Sequence, residues 1–338
     1  METIQIGTSG IVASRVALGT WAIGGWMWGG STDVGESVDT IRSAIARGIT
    51  LIDTAPVYGF GRSEAIVGKA LSAGLRTRAI IATKGGLEWK DGKVWRNSSP
   101  ERIRREVEES LRRLATDYID LYQVHWPDPL VPLSDTAAAL ARLLKEGKIR
   151  AIGVSNFSAA QMAQFRQAAP IHSVQPPYNL FEREAEADVF PYAAQHDIAL
   201  LCYGALCRGL LAGAITAATR FKGDDLRRTD PKFQEPRFSQ YRAAVAALDR
   251  YARERYGLPV LALAVRWVLD QGNTIALWGA RHPAQLDPVK DAIGWKLDDE
   301  AKRRIEQILL QTVKDPIGPE FMAPPSRREA APADSLAA

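Results

Sequence analysis

Three apolar runs in this chain each end on an ionisable side chain. Asp53 stands at the end of ITLIDT (49–54), and Tyr58 follows it five residues later in DTAPVYG. Lys84 closes RAIIATK (78–84), and His125 closes YIDLYQVH (118–125). Such groups are costly at the end of a buried run unless they are solvated or paired. Singly, each has an ordinary explanation: Asp53 caps a turn, Lys84 lies on the surface, His125 is satisfied in a core. Together their chemistry is complementary. A phenol titrates near pH 10, and a nearby ammonium is expected to draw that value down. Asp53 would keep Lys84 charged and oriented, and His125 can hold a carbonyl oxygen or help pass a proton. The set suits protonation of an alkoxide as it forms.

The elements that must bring these residues together recur along the chain. Besides the three runs above there are RVALGTW (15–21), IRAIGVSN (149–156), HSVQPPYN (172–179), IALLCYG (198–204) and TIALWGA (274–280). These eight runs are short and nearly continuous in Ile, Val and Leu, the pattern of strands covered by helices on both faces. Amphipathic stretches lie between them. In SPERIRREVEESLRRL, Ser99 is placed to cap, Pro100 sits in the first turn, and Ile103, Val107, Leu111 and Leu114 share one face. Eight strand–helix units make either an open doubly wound sheet or a closed barrel. An open dinucleotide fold calls for G-x-G-x-x-G after its first strand; GTWAIGGWMWGG lacks that spacing. An α/β fold, a (β/α)8 TIM barrel, is therefore expected over residues 1–315. TIQI-GTSG-IVAS is expected to be an N-terminal hairpin capping the barrel bottom. Its active rim would hold the C-terminal strand ends. The charged, Pro-containing segment 208–240 would then lie on that rim as a mobile loop covering cofactor or substrate. The Pro- and Ala-rich tail 316–338 is expected to be partly disordered.

Bulk composition narrows the class. With 46% apolar residues among 338, the chain can bury a large core. No stretch approaches the roughly 18 apolar residues of a membrane span, and METIQIGTSG has no signal-peptide core, so a cytoplasmic location is expected. The +4 net charge is spread over interleaved acids and bases, unlike a nucleic-acid footprint. Cys202 and Cys207 fit neither a disulfide framework nor zinc spacing, and the four scattered histidines suggest no metal site.

Asp53, Tyr58, Lys84 and His125, in DTAPVYG, ATK and LYQVHWP, resemble the catalytic tetrad of the aldo-keto reductase superfamily. GVSNF (153–157), VQPPYNL (174–180), YGALCRGLLAG (203–213) and WGARHPAQL (278–286) are similar to its later strand motifs, collinear from about residue 4 to 310. The resemblance implies an oxidoreductase passing a hydride between NADP(H) and an aldehyde or ketone. Tyr58 would be the general acid, tuned by Lys84 and Asp53, with His125 orienting the carbonyl. Ser155, Asn156 and Gln175 would hold the nicotinamide carboxamide. Tyr203 would stack on its ring, and Thr20 and Trp21 would lie beside it. Gly204, Ala205, Leu206, Cys207, Arg208, Gly209 and Leu210 would follow the pyrophosphate. Gly279, Ala280, Arg281 and Gln285 would meet the adenosine end. Arg281 suits a ribose 2′-phosphate, because a guanidinium binds phosphate bidentately. The loop WAIGGWMWGG that begins at Trp21, together with Trp89 and Trp126, could wall the substrate pocket.

Some positions depart from the family pattern: Gly204-Ala205 in place of Ser-Pro, Cys207 in place of Gly, Trp278 in place of Pro, and Val289 where Asn is common near the adenine. Two other readings remain open on the tetrad residues alone. One is a Schiff-base aldolase using Lys84; the other is a cofactor-binding regulatory subunit. Beyond a small-molecule carbonyl no partner is expected.

Overall fold

The structure, a computed structural model, describes residues 1–330 apart from Ser31 and Ala73. Strands β1 (Thr3–Gln5) and β2 (Val12–Ser14) form the expected antiparallel hairpin. Then come β3 (Val16–Gly19), β4 (Leu51–Asp53), β5 (Ile80–Gly85), β6 (Leu87–Lys90), β7 (Lys93–Arg96) and β8 (Ile119–Val124). They are followed by β9 (Ile149–Ser155), β10 (Ser173–Gln175), β11 (Ala199–Cys202) and β12 (Thr274–Gly279). Eight of these close into a parallel barrel in the order β3-β4-β5-β8-β9-β10-β11-β12, with β12 pairing back onto β3. Each expected apolar run supplies one barrel strand.

The helices are α1 (Trp21–Gly24), α2 (Val34–Ala46), α3 (Arg62–Leu71), α4 (Pro100–Leu114), α5 (Leu133–Lys145) and α6 (Ala159–Phe165). The second half of the chain adds α7 (Val189–Gln195), α8 (Arg237–Tyr256), α9 (Val260–Leu269), α10 (Asp299–Thr312) and α11 (Arg327–Ala330). Helix α4 starts as its sequence requires: the Ser99 side chain accepts from the Arg102 amide, and Pro100 fills the first turn. Ile103, Val107 and Leu114 are buried against the barrel. No helix among the described residues is long and apolar enough to cross a membrane.

Strand periodicity sorts the barrel side chains. Val16, Leu18, Ile52, Ile81 and Tyr122 face outward into the helix layer. Ala17, Leu51, Ala82, Leu121, Ala151, Leu201, Ile275 and Leu277 fill the lower interior, closed from below by Ile6 and Ala13 of the hairpin. Two residues further up the same inward faces come Asp53, Lys84 and Gln123. The interior thus changes from apolar to polar at one level, which is the floor of the site.

One feature, a hairpin, departs from expectation. Strands β6 and β7 pair as an antiparallel hairpin between β5 and α4. Its turn, Asp91-Gly92, has both φ angles positive (51° and 77°), the geometry that an Asp-Gly pair favours. The tail from Pro316 lies against the protein through residue 330. The Pro325 carbonyl accepts from the Arg96 amide at 2.9 Å, and Arg327 pairs with Asp128 at 3.4 Å. These backbone and ionic bonds offset the ordering cost of a Pro-rich segment. Residues 331–338 of that tail lie outside the described residues.

Candidate active site

Asp53 ends β4 in register with Ala82 of β5, and Lys84, two residues further along the same inward face, reaches back to it with its long side chain. Lys84 Nζ donates to Asp53 Oδ1 at 2.6 Å, to the Thr54 carbonyl at 3.0 Å and to Tyr58 OH at 3.2 Å. Asp53 Oδ2 accepts from Gln175 Nε2 at 2.9 Å and from Gln123 Nε2 at 3.3 Å. Tyr58 is delivered by the turn after β4, where its amide donates to the Ala55 carbonyl. The loop after β3 closes on that turn so tightly that a Cβ on Gly24 would sit 2.6 Å from the Tyr58 backbone. The Tyr58 ring stacks on Trp21 with centroids 5.8 Å apart and meets the His125 ring edge-on at 5.7 Å. The four chemical residues of three strand ends thus form one cluster.

Burial dominates the electrostatics. It pulls the fully buried Lys84 ammonium down, opposed by Asp53 and then by Glu64. Burial, with the Lys84 charge, holds His125 well below the ordinary imidazole range, so the ring is neutral at pH 7. The Tyr58 phenol was expected to fall beside an ammonium. It instead lies well above the ordinary value, because burial and then the Asp53 carboxylate both disfavour the phenolate. The hydroxyl is therefore protonated at neutral pH, as an acid must be. An alkoxide is a stronger base than a phenolate and can still take that proton.

These groups face a cavity of about 470 Å³, within the range of small-molecule sites. Trp21, Trp126, Trp26, Val57, Leu87, Val94 and Met322 make its apolar wall, and the tail adds Pro324. Ser155, Asn156, Gln175 and Tyr203 line the side opposite β4. Tyr203 OH donates to Asn156 Oδ1 at 2.9 Å, and Ser155 Oγ donates to the Gln175 carbonyl at 2.9 Å. No described residue donates to Gln175 Oε1, which leaves it as an acceptor for an amide. Gly204, Leu206 and Gly209 continue the wall, followed by Gly279, Ala280, Arg281 and Gln285. A Cβ on Gly279 would meet nothing within 4 Å. Arg281 Nη2 donates to the Trp28 carbonyl, and Gln285 Oε1 accepts from the Arg281 amide at 2.7 Å. Burial and the neighbouring Arg227 both press the Arg281 guanidinium down. A cavity with an amide acceptor at one end and two guanidiniums at the other fits a phosphorylated dinucleotide.

Several expected site residues sit behind the cavity wall. Thr20 is fully buried and donates to the Asp53 carbonyl at 2.9 Å, bracing the strand end. Trp89, on the β6–β7 hairpin, packs on Phe60 at 5.7 Å and does not line the cavity. Ala205, Cys207 and Leu210 are buried beneath the loop. Cys207 adopts φ 44°, a left-handed position where glycine is easier, at a cost on the order of 1 kcal/mol. Arg208, by contrast, does line the cavity, but its guanidinium is paired with Glu182 and Asp230. Trp278 faces the helix layer and donates from its indole to the Gln285 carbonyl at 3.2 Å, and Val289 is core.

Trp26 and Trp28 line the cavity, as the aromatic loop after the first strand leads one to expect, whereas Gln123, Arg227, Met322 and Pro324 are not singled out by the sequence. Gln123 is legible in retrospect, two residues before His125 on the same inward face. Arg227 and the tail residues carry no local signal, because they reach the cavity only through the folding of long segments. Segment 208–240 does lie on the rim: the Asp224 carboxylate accepts from the Met27 and Gly29 amides at 2.7 and 3.0 Å.

The model of the aldo/keto reductase family matches residues 15–310. The aldo-keto reductase YhdN of Bacillus subtilis is 59% identical over 97% of this chain and all of its own length. An NADH-specific methylglyoxal reductase of Escherichia coli is 37% identical, covering 88% of this chain and 95% of its own. The structure of a glycerol dehydrogenase from Gluconobacter oxydans superposes with TM-score 0.86 at 55% identity, over 95% of this chain and 99% of that one. With barrel, strand-end cluster and full-length similarity agreeing, the chain belongs to the aldo/keto reductase family, oxidoreductases that interconvert carbonyls and alcohols with a nicotinamide cofactor.

Proposed function

We propose that this enzyme reduces small oxygenated aldehydes and ketones with NADPH, with Tyr58 as the proton donor. The observation that carries the reading is Lys84 Nζ, held at once by Asp53 Oδ1 (2.6 Å) and Tyr58 OH (3.2 Å) beside the cavity. Bound along the cavity, the reduced nicotinamide would supply the hydride. Tyr58 OH hydrogen-bonds the substrate oxygen and releases its proton as negative charge builds there. Lys84 stabilises the phenolate left behind, and Asp53 holds Lys84 in place. Neutral His125 orients the carbonyl without competing as an acid. The tryptophan-lined wall excludes water around the reacting oxygen. The names of two relatives, a methylglyoxal reductase and a glycerol dehydrogenase, point to three-carbon substrates.

Ser155, Asn156 and Gln175 would hold the carboxamide, and Tyr203 the ring. The backbone of residues 204–210 would follow the pyrophosphate. Gly279, Ala280 and Gln285 would meet the adenosine, and Arg281 the 2′-phosphate. Arg281 favours NADPH, since its guanidinium donates only to a backbone carbonyl among the described residues while Arg227 is already paired with Asp225 at 2.6 Å, whereas the Escherichia coli relative is named for NADH. A cytoplasmic location goes with this reading, since Cys202 and Cys207 are both unpaired. The Schiff-base alternative is disfavoured because Lys84 is fully buried and donates to three oxygens. The test follows reduced-cofactor absorbance for wild type and Tyr58→Phe with methylglyoxal, glyceraldehyde and dihydroxyacetone, each with NADPH or NADH. Consumption of NADPH by wild type alone supports the reading. Equal turnover in both proteins removes Tyr58 from the mechanism, and tight binding without turnover favours a regulatory role.

A further inference from the structure

Lys84 faces the barrel interior, so its neighbours Thr83 and Gly85 face outward, toward α3 and α4. Two acids are buried there, Glu64 at 0% and Glu106 at 1% exposure. Glu64 accepts from Thr83 Oγ1 at 2.7 Å and from Arg113 Nε at 2.6 Å. Glu106, on α4, accepts from Arg102 Nη2 at 2.9 Å through Oε1. Its Oε2 accepts from the Gly86 amide at 2.6 Å.

That second bond reaches the active site in two steps. Strand β5 ends at Gly85, so the Gly86 amide has no place in the barrel ladder. The Gly85 carbonyl accepts from the His125 amide at 2.9 Å, and Lys84 is the preceding residue. Gly85-Gly86 is the most deformable kind of dipeptide, and Gly86 adopts φ 90°. A side chain at position 85 would block the approach: its Cβ would lie 2.1 Å from Tyr122 OH and 3.0 Å from Glu106 Oε2. A buried carboxylate therefore pins, from outside the barrel, the one flexible peptide between two residues of the reacting set.

We propose that Glu106 is a positioning residue, which holds the Gly86 amide and thereby sets Lys84 and His125 against Tyr58. The proposal rests on the reading of Tyr58, Lys84 and His125 as the reacting set. Displacement of a reacting group by about 1 Å costs on the order of a hundredfold in rate, so a loosened strand end registers in turnover. Burial pushes the Glu106 carboxyl up to about 7, against Arg102 and the Gly86 amide. The other charged or titratable groups around it are Glu64 of α3, Arg113 of α4, Tyr122 of β8 and, through Arg102, Glu88 of β6.

The test uses the full chain with NADPH and an aldehyde, measuring kcat, KM and the NADPH dissociation constant by fluorescence quenching. Glu106→Leu removes the acceptor and is expected to lower kcat about tenfold, with KM and cofactor affinity changed less than about twofold. Glu106→Gln keeps an oxygen for the Gly86 amide and restores kcat to within about threefold of wild type. Tyr122→Phe leaves the Glu106–Gly86 bond intact and is expected to keep wild-type kcat. A folded Leu variant with wild-type kcat overturns the proposal, as does an equal loss in the Leu and Gln variants. If the Leu variant does not fold, Glu106→Asp, with its carboxylate withdrawn by one methylene, replaces it under the same criteria. Tyr58→Phe run alongside separates the two failures. If it retains turnover, the reacting-set reading is at fault; if it loses turnover while the Leu variant does not, the positioning role alone fails.

Discussion

Lys84 and Lys232 are both fully buried, and both sit within 3 Å of a buried carboxylate. What separates them is the remaining partners. Lys84 Nζ also reaches Tyr58 OH, which opens on the cavity. Lys232 Nζ bonds Glu182 Oε1 at 2.9 Å and the Gly318 carbonyl at 3.0 Å, so it ties the rim loop to the tail. Around it Arg208, Glu182 and Asp230 complete a closed network of opposite charges. A buried, paired lysine is thus no mark of catalysis in itself. The mark is a pair left with one bond to a group that can exchange a proton with a ligand.

Replacing each lysine with methionine tests that contrast and carries the largest effects. Both changes leave a buried carboxylate short of a cation and are expected to cost about 3–5 kcal/mol of stability, read as a fall in the denaturant midpoint. Only Lys84→Met should also lower kcat per folded molecule, by about 100- to 10,000-fold, the range of a lost acid–base group. Equal turnover losses in the two variants would break the distinction. So would a Lys84→Met enzyme that turns over normally.

The same contrast explains what was legible in the sequence. The eight barrel strands and the tetrad could be read because short-range rules govern them: runs of buried residues, side chains alternating inward and outward, and one ionisable group at each strand end. Thr20 and Trp89 do not line the cavity, because residue type does not say which side of a wall a side chain takes. The resemblance of YGALCRGLLAG sets Arg208 along the pyrophosphate, and Arg208 lines the cavity, but the sequence does not show its ion pairs. Glu182 and Asp230 lie 26 and 22 residues away, and only the folded loop brings them to it. The Asp91-Gly92 hairpin carried a local signal that went unread. The docking of residues 316–330 carries none, since a Pro-rich composition does not name the backbone partners that hold it.

Charge on the cofactor side offers a finer test of spent against available cations. Arg208 is neutralised by two carboxylates, whereas Arg281 donates only to a backbone carbonyl among the described residues. Arg281→Ala is expected to weaken NADPH by about ten- to a hundredfold, the worth of a charge-assisted bond of about 1.5–3 kcal/mol. NADH should change by less than about threefold, because it lacks the 2′-phosphate. Titration of both cofactors by fluorescence quenching decides this. Equal weakening of the two would place Arg281 away from the 2′-phosphate and leave Arg227 to be tested there.

The smallest effect concerns the carboxylates behind the two lysine sites, which are shifted in opposite directions. Burial raises Glu106 to about 7. At Glu182 burial pushes upward too, but Arg208 and Lys232 outweigh it and hold the carboxyl below its ordinary value. Linkage then gives opposite signs. Between the ordinary carboxyl pKa of about 4.5 and the folded value of about 7, native Glu106 holds a proton that the unfolded chain has lost. Its contribution is complete below that window and is lost as pH rises through it. Relative to Glu106→Gln, the wild type should therefore lose about 1 kcal/mol between pH 6 and pH 7. Glu182 contributes above its unfolded pKa and loses that contribution as pH falls through the lower folded value. The wild-type advantage over Glu182→Gln should thus hold at neutral pH and shrink in acid. Urea midpoints for the three proteins at pH 4, 6, 7 and 8 read both slopes. Parallel slopes would mean that the two buried clusters respond to protons alike, which the cations beside Glu182 argue against.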